Sequence, residues 1–367
     1  MARVRGGELA FQAAHEVVHH HGQAGPVFIA ADRALGVAEP GGVGGYGRGF
    51  AVAGGHSKIR WFFGKENTLK RGYLWYDGKN GEHAMDFHPL SPELRRRFEE
   101  DGFLIVRGAL GADQVAGLNA AGDRLIAGTD LLDRQTGGDA YDGFRNIVGR
   151  DPAFTQLLTH GPTVSLVLQL MSPNLQLHTS HLIHKRPEAA GADPLRLDPG
   201  WHRDINTVND DLGWQGNQRF EIKVAYYLSD ARAANSGVTM CARGSHRWHA
   251  APTLDADGNP PGVVLPALAP GDALLFENRT YHAARLNTSG ITRKCVIFGY
   301  SYRWMRPDDW LEQPEELLAQ LDPIGRELLT PMRHRLPDGR FSPCGDRGAI
   351  RAWAERYLKS AVAVAKG

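Results

Sequence analysis

His202 and Asp204 stand two apart in Gly200-Trp201-His202-Arg203-Asp204. His282 follows far downstream in Thr280-Tyr281-His282, and Arg293 comes after it in Ile291-Thr292-Arg293-Lys294. Two imidazoles and one carboxylate form the donor set of a mononuclear iron(II) centre that keeps positions open for other ligands. Residues i and i+2 of a strand share a face, so His202 and Asp204 can point together into a barrel. A sheet that doubles back can bring His282 to the same point. An arginine on a neighbouring strand can grip a carboxylate with two parallel hydrogen bonds. These types in this order point to an oxygenase that consumes a 2-oxo acid. A plainer reading stands beside it, in which the H-x-D pair sits on a loop without a role. A buried Arg293 wants an anion, and an internal Asp or Glu would satisfy it as well as a ligand would.

Such residues need a framework that fixes them. From Leu175 onward the chain reads as short strands, at 175–185, 220–228, 237–241, 273–276 and 294–302, punctuated by Gly and Pro. Helical patterns come before them. Ser91 is an N-cap, Pro92 suits the first turn and Gly102 ends the helix. Phe103-Leu104-Ile105-Val106 is a short strand, and helical spacing recurs over 112–127 and 152–170. The tail returns to helical spacing at 314–332 and 349–357. Helices followed by many strands predict a mainly β fold with flanking helices around a double-sheet jelly roll or β barrel. Residues 1–88 are Gly-rich and aromatic, with helical spacing only near 8–20, and read as an extension that docks on the core. Residues 89–310 carry the catalytic pattern, and 311–367 form a helical tail.

Composition excludes several classes. The chain has 367 residues, 42% of them apolar, with a net charge of +1 from 42 basic and 41 acidic side chains. That balance gives no polyelectrolyte character, so nucleic acid is not an expected partner. Cys241, Cys295 and Cys344 are odd in number and far apart, which argues against a disulfide framework or a zinc ribbon. The first 25 residues are interrupted by Arg3, Arg5, Glu8, His15 and Glu16, unlike a secretory leader. No run has the length of a membrane span. The expectation is a soluble cytoplasmic enzyme whose partners are a small molecule and dioxygen.

Other motifs compete less well. His15-Glu16-Val17-Val18-His19 matches a zinc-protease spacing but sits in a polar terminal segment with no clear third ligand. Gly42-Val43-Gly44-Gly45-Tyr46-Gly47 lacks the strand before and helix after that a dinucleotide fingerprint requires. Gly244-Ser245-His246 reads as a turn. The polar segment 206–218, with Trp214, and Arg145-Asn146 either line the site's mouth or are solvated surface. Lys223 faces inward if Ala225 does, and there it would meet an anionic substrate or the cosubstrate. A lysine that snorkels outward fits the pattern equally.

The segment from about Ser91 to Trp310 resembles the phytanoyl-CoA dioxygenase family of iron(II)/2-oxoglutarate oxygenases, which also contains ectoine hydroxylase. The matching pieces are Trp201-His202-Arg203-Asp204, Ala242-Arg243-Gly244-Ser245-His246-Arg247, Pro270-Gly271-Asp272-Ala273, and His282 through Arg293 with Asn287 between. Phe98-Glu99-Glu100-Asp101-Gly102-Phe103 resembles that family's first helix and strand. The resemblance implies a double-stranded β-helix of the jelly-roll, cupin-like kind. It implies iron(II) on His202, Asp204 and His282, with Arg293 on the far carboxylate of 2-oxoglutarate. His184 falls near a position where relatives often carry an asparagine beside the cosubstrate. Related halogenases lack the carboxylate that Asp204 supplies, so its presence favours hydroxylation. Desaturation, epoxidation and ring closure share the same centre. A barrel that binds ligand or metal without turnover is the non-enzymatic alternative.

Overall fold

The computed structural model describes residues 85–128, 141–189, 200–330, 334–335, 341–342 and 348–364. The expected helix near 8–20, both motifs before residue 50 and Cys344 lie outside them.

The first helix, α1 (Pro92–Asp101), begins and ends as its sequence dictates. Ser91 Oγ accepts from the Leu94 amide at 3.2 Å, and Gly102 leaves the helix at φ +84°. Strand β1 (Phe103–Val106) follows, then α2 (Ala112–Gly128) and β2 (Tyr141–Arg145). The predicted helix over 152–170 is broken. It forms α3 (Pro152–Thr155), a 3-10 turn (Gln156–Thr159) and α4 (Gly161–Leu170). Pro162 is the cause: it donates no amide hydrogen bond and suits only the start of a helix.

Then come β3 (Leu175–Lys185), α5 (Thr207–Gly216), β4 (Glu221–Tyr227), β5 (Thr239–Ala242) and β6 (Val263–Val264). Strands β7 (Ala273–Glu277), β8 (His282–Ala284) and β9 (Arg293–Tyr302) complete the core. The tail holds α6 (Glu315–Leu318), α7 (Pro323–Leu328) and α8 (Ala349–Val364). Asp322 caps α7, and Pro323 makes 314–332 two helices rather than one.

The strands form an antiparallel sheet in the order β1-β7-β4-β9-β3-β2, and a smaller one in the order β6-β5-β8. Alternation sorts the side chains of the large sheet. Ile222, Val224 and Tyr226 on β4, with Val296, Phe298 and Tyr300 on β9, pack against Phe154, Leu157, Val164 and Val167 of the helices. Buried phenols find partners there: Tyr226 Oη lies 2.6 Å from Thr163 Oγ1, and Tyr300 Oη donates to Leu158 O at 3.1 Å. The opposite face supplies Phe103, Ala225, Tyr227, Leu274, Phe276 and Cys295, which meet Val238 and Cys241 near the small sheet. Tyr227 Oη donates to Thr239 Oγ1 at 2.9 Å and accepts from the Thr239 amide at 3.0 Å, tying one sheet to the other. Two antiparallel sheets closed face to face, buttressed by helices on one side, are a double-stranded β-helix.

Strand β3 departs from strict alternation. Leu177 pairs with Tyr300 but Thr179 pairs with Gly299, so His178 is an extra residue at a bulge. Beyond it Leu182 joins the helix-facing core, and His181 turns into the barrel.

Candidate active site

His202 and His282 meet as an isolated antiparallel bridge, each amide donating to the other's carbonyl at 3.0 and 2.9 Å. The bridge sets the imidazole centroids 4.3 Å apart. The ligating atoms of His202, Asp204 and His282 all lie within 4.8 Å of one another. His202 is thus held by one bridge rather than by a full strand, and Asp204 sits in the turn after it.

Each imidazole is oriented from behind. His202 Nδ1 lies 2.6 Å from Gly200 O, and His282 Nδ1 lies 2.9 Å from Thr280 O. A carbonyl cannot donate, so both Nδ1 atoms carry the proton and both Nε2 lone pairs are free. Burial, partly opposed by Asp204, pushes the pKa of His282 down to about 4, which keeps this ring neutral. Asp204 is held well below the usual carboxylate range. Burial works against its charge, but Lys223, His282 and His202 outweigh that penalty.

Lys223 points inward, and its Nζ donates to Asp204 Oδ1 at 2.5 Å. Asp204 Oδ2 is buried without a partner, 3.8 Å from His282 Nε2. An orphaned carboxylate oxygen beside the His282 lone pair, with His202 Nε2 3.9 Å from the other oxygen, is a costly arrangement unless a cation completes it. The donor set fits a divalent metal of the iron class.

Arg293 is 3% exposed, and its Nε is buried without a partner. It pairs in register with Lys185 and shares the inward face of β9 with Cys295. Among the described residues no carboxylate forms an ion pair with it, so the internal partner that the sequence left open is not found there.

His184 does not join these residues. Strict alternation from Leu177 would turn it inward, but the bulge at His178 reverses the parity. It faces α2, where a Cβ built on Gly122 would lie 3.3 Å from its Nε2. Burial, with Lys294 nearby, pushes its pKa down to about 4. A role beside the cosubstrate does not follow from that placement.

The segment 206–218, expected as a loop, contains α5, interrupted at Gly213 with φ +74° and ψ +166°. It lays Trp214 over the Arg203 guanidinium at 4.1 Å from the ring centroid. Arg203 Nη2 donates to Ser245 O at 2.5 Å, and Ser245 Oγ accepts from the Tyr281 amide at 2.8 Å. The Gly244-Ser245-His246 turn is structural, and it braces Arg203 and Tyr281, the neighbours of His202 and His282. Arg145 reaches Asp308 and Asp309, each at 2.8 Å. Sequence reasoning passed over His181 and Asp309. An acidic pair just before Trp310 was the available signal.

Residues 98–295, more than half of the chain, match the family model for phytanoyl-CoA dioxygenase (PhyH). The chain belongs to the phytanoyl-CoA dioxygenase family. It is a 2-oxoglutarate-dependent dioxygenase, with iron(II) and 2-oxoglutarate as its cofactors. As a PhyH family member it is similar to dioxygenase cdmD of Talaromyces verruculosus, at 24% identity over 67% of this chain and 86% of that protein. It is also similar to ectoine dioxygenase of Sphingopyxis alaskensis, at 22% identity over 58% of this chain and 76% of that protein. HygX from Streptomyces hygroscopicus, solved with nickel and 2-oxoglutarate bound, overlaps 61% of this chain and 91% of its own at 18% identity and a TM-score of 0.47. Among the described residues no helix is long and apolar enough to cross a membrane.

Proposed function

We propose that this enzyme hydroxylates an unactivated C–H bond of a small molecule. His202, Asp204 and His282 would hold the metal, and Arg293 would hold the far carboxylate of 2-oxoglutarate. The observation that carries the reading is the trio of donor atoms within 4.8 Å, with both Nδ1 protons committed to backbone carbonyls. Bound iron(II) and 2-oxoglutarate supply oxidation of a C–H bond by dioxygen, with release of succinate and carbon dioxide.

The chain's own residues supply orientation and a dry chamber. The carbonyls of Gly200 and Thr280 aim both Nε2 atoms at one point. Lys223 occupies Asp204 Oδ1 and leaves Oδ2 for the metal. Phe276, whose ring centroid lies 4.6 Å from that of His282, and Ile297 make the walls apolar. Arg293, without a protein carboxylate among the described residues, is available to an anion.

Arg293→Ala tests the cosubstrate assignment. Loss of one partner of a buried charge pair costs about 3–5 kcal/mol, so the KM for 2-oxoglutarate should rise by at least about a hundredfold. An unchanged requirement would remove Arg293 from the site. Product mass tests the reaction: hydroxylation adds one oxygen atom derived from dioxygen, whereas loss of two hydrogens would make the enzyme a desaturase.

A further inference from the structure

The segments that carry His202 and His282 have a second face. In extended chain, neighbouring side chains point to opposite sides, so Trp201, Arg203 and Tyr281 turn away from the imidazoles. They gather an aromatic cluster there. Tyr281 has the rings of Trp201, Trp248 and Trp214 at centroid distances of 5.7, 5.9 and 6.3 Å. Arg203 lies against Trp214 and donates to Trp248 O at 3.0 Å. Beside this cluster, α5 and the turn Ser245–Arg247 frame a pocket of about 340 Å³. Trp214, Gln215, Gln218, Arg247, Trp248 and Arg279 are on its walls. Pockets that take small molecules begin at about 300 Å³.

The charges around this pocket do not balance. Glu277 is fully buried and serves two guanidiniums, Arg219 at 2.5 Å and Arg279 at 2.8 Å. Arg219 also reaches Glu99 at 2.6 Å. Arg203 is buried, with Nη2 on two carbonyls and with Nε and Nη1 lacking a partner. Arg247 donates only to a carbonyl, Glu99 O, at 3.0 Å. Nearby carboxylates are engaged elsewhere: Glu100 by Arg96, Asp101 by Arg243, and Asp204 by Lys223 on the other face. Asp210 and Asp211 of α5 are exposed and form no ion pair among the described residues. Four guanidiniums therefore share two carboxylates. Arg279 carries the imbalance to the pocket wall. Only its Nη2 is bonded, to Glu277, and its buried Nε has no partner. Partly buried guanidiniums without a counter-ion are costly, so the pocket wants an anion.

We propose that this pocket is a second ligand site, separate from the metal centre, and that it binds a phosphate monoester with the phosphate on Arg279 and Arg247 and the organic part against Trp214 and Trp248. A phosphate monoester carries about 1.5 to 2 negative charges near neutral pH and three strong acceptor oxygens. That matches the two guanidinium charges left without a carboxylate. A carboxylate brings one charge and two oxygens and would leave half of the imbalance in place. Its oxygens also lie in one plane, whereas Arg279, Arg247 and the amides of Gln215 and Gln218 come from separate segments of the wall. A neutral or cationic ligand would not relieve the imbalance. Indole rings beside the guanidiniums favour a ligand with a flat or apolar part over bare phosphate. The site does not depend on the chemistry assigned to the metal centre.

Titration calorimetry on the full chain with phenyl phosphate tests the site, run with and without zinc(II) and saturating 2-oxoglutarate. Phenyl phosphate should bind once per chain with the same Kd in both conditions. Benzoate and inorganic phosphate should each bind at least about tenfold more weakly, and benzyl alcohol should give no heat. Arg279→Gln should weaken phenyl phosphate about 10- to 100-fold. Arg247→Gln alters an exposed side chain and should weaken it about 3- to 10-fold, so it decides the matter if Arg279→Gln fails to fold. Arg124→Gln, on α2 and outside the pocket, should change nothing. Four results would each overturn the proposal: no heat from phenyl phosphate, benzoate binding as tightly, an affinity that Arg247→Gln leaves unchanged, or displacement of phenyl phosphate by 2-oxoglutarate, which would put it in the catalytic chamber instead.

Discussion

Asp204 and Asp309 are both buried carboxylates in one barrel, and their partners give them different jobs. Asp204 keeps Oδ2 unpaired, 3.8 Å from His282 Nε2, which is what a metal ligand would require. Asp309 has both oxygens occupied, which is what a structural anchor requires. The anchor should be visible in acid. In the unfolded chain an aspartate titrates near 3.8, and in the fold Asp309 titrates lower. A depressed folded pKa adds stability above the unfolded value, and that contribution disappears as pH falls through the folded one. The unmutated protein should therefore lose stability more steeply than Asp309→Asn as the solution is taken from about pH 5 towards pH 2. Denaturant midpoints across that range measure it, and parallel curves would mean that Asp309 gains nothing from its partners.

Strands and turns decide which residues meet. The turn before β7 runs through Ala269-Pro270-Gly271-Asp272 and closes with the Asp272 amide on Ala269 O at 3.0 Å. Proline fixes the second position, and glycine at φ +93° supplies the third. A Cβ on Gly271 would lie 2.6 Å from Leu110 O, against a φ that other residues resist. Gly271→Ala should cost about 1–3 kcal/mol from the backbone alone, read as a lowered urea midpoint at unchanged slope. Much at this scale was legible beforehand. Ser91, Pro92 and Gly102 delimit α1, whereas alternation in 220–228 left Lys223 either inward with Ala225 or snorkelling outward, and the fold takes the inward choice beside Asp204. His202 and Asp204 were assigned to one strand; they are held instead by a single bridge and a turn, and still converge. What escaped has physical causes. Pro162 and Pro323 broke helices whose apolar spacing ran on unchanged. Asn, Asp and Gly in 206–218 disguised α5, whose Trp214 packs on Arg203 rather than on a continuous apolar core. The bulge in β3 leaves no mark in the pattern, since Leu, His, Thr and Ser around it suit either face.

At the largest scale, the two sheets are joined at the residues proposed to hold the metal. Asp204 contacts Lys223 of the large sheet, and His282 belongs to the small one. Metal binding should therefore stabilise the entire fold. A divalent ion at one hundred times its dissociation constant adds about 2.7 kcal/mol if it binds only the native state. Thermal unfolding with and without a chelator should show a higher Tm for the loaded protein. Asp204→Ala should erase the difference, and a chelator-insensitive Tm in the unmutated protein would separate metal binding from folding.

The extra residue at His178 has a consequence for how this molecule can change. Every side chain from Thr179 to Lys185 owes its inside or outside position to a parity set at that one point. Replacing His181 leaves every other inside and outside position of the strand as it was. Adding or removing a single residue between 179 and 185 would exchange chamber lining for helix packing at every later position of the strand, burying charge and exposing leucine together. This stretch can diverge by exchange of letters but not by change of length, and the catalytic chamber inherits that rule.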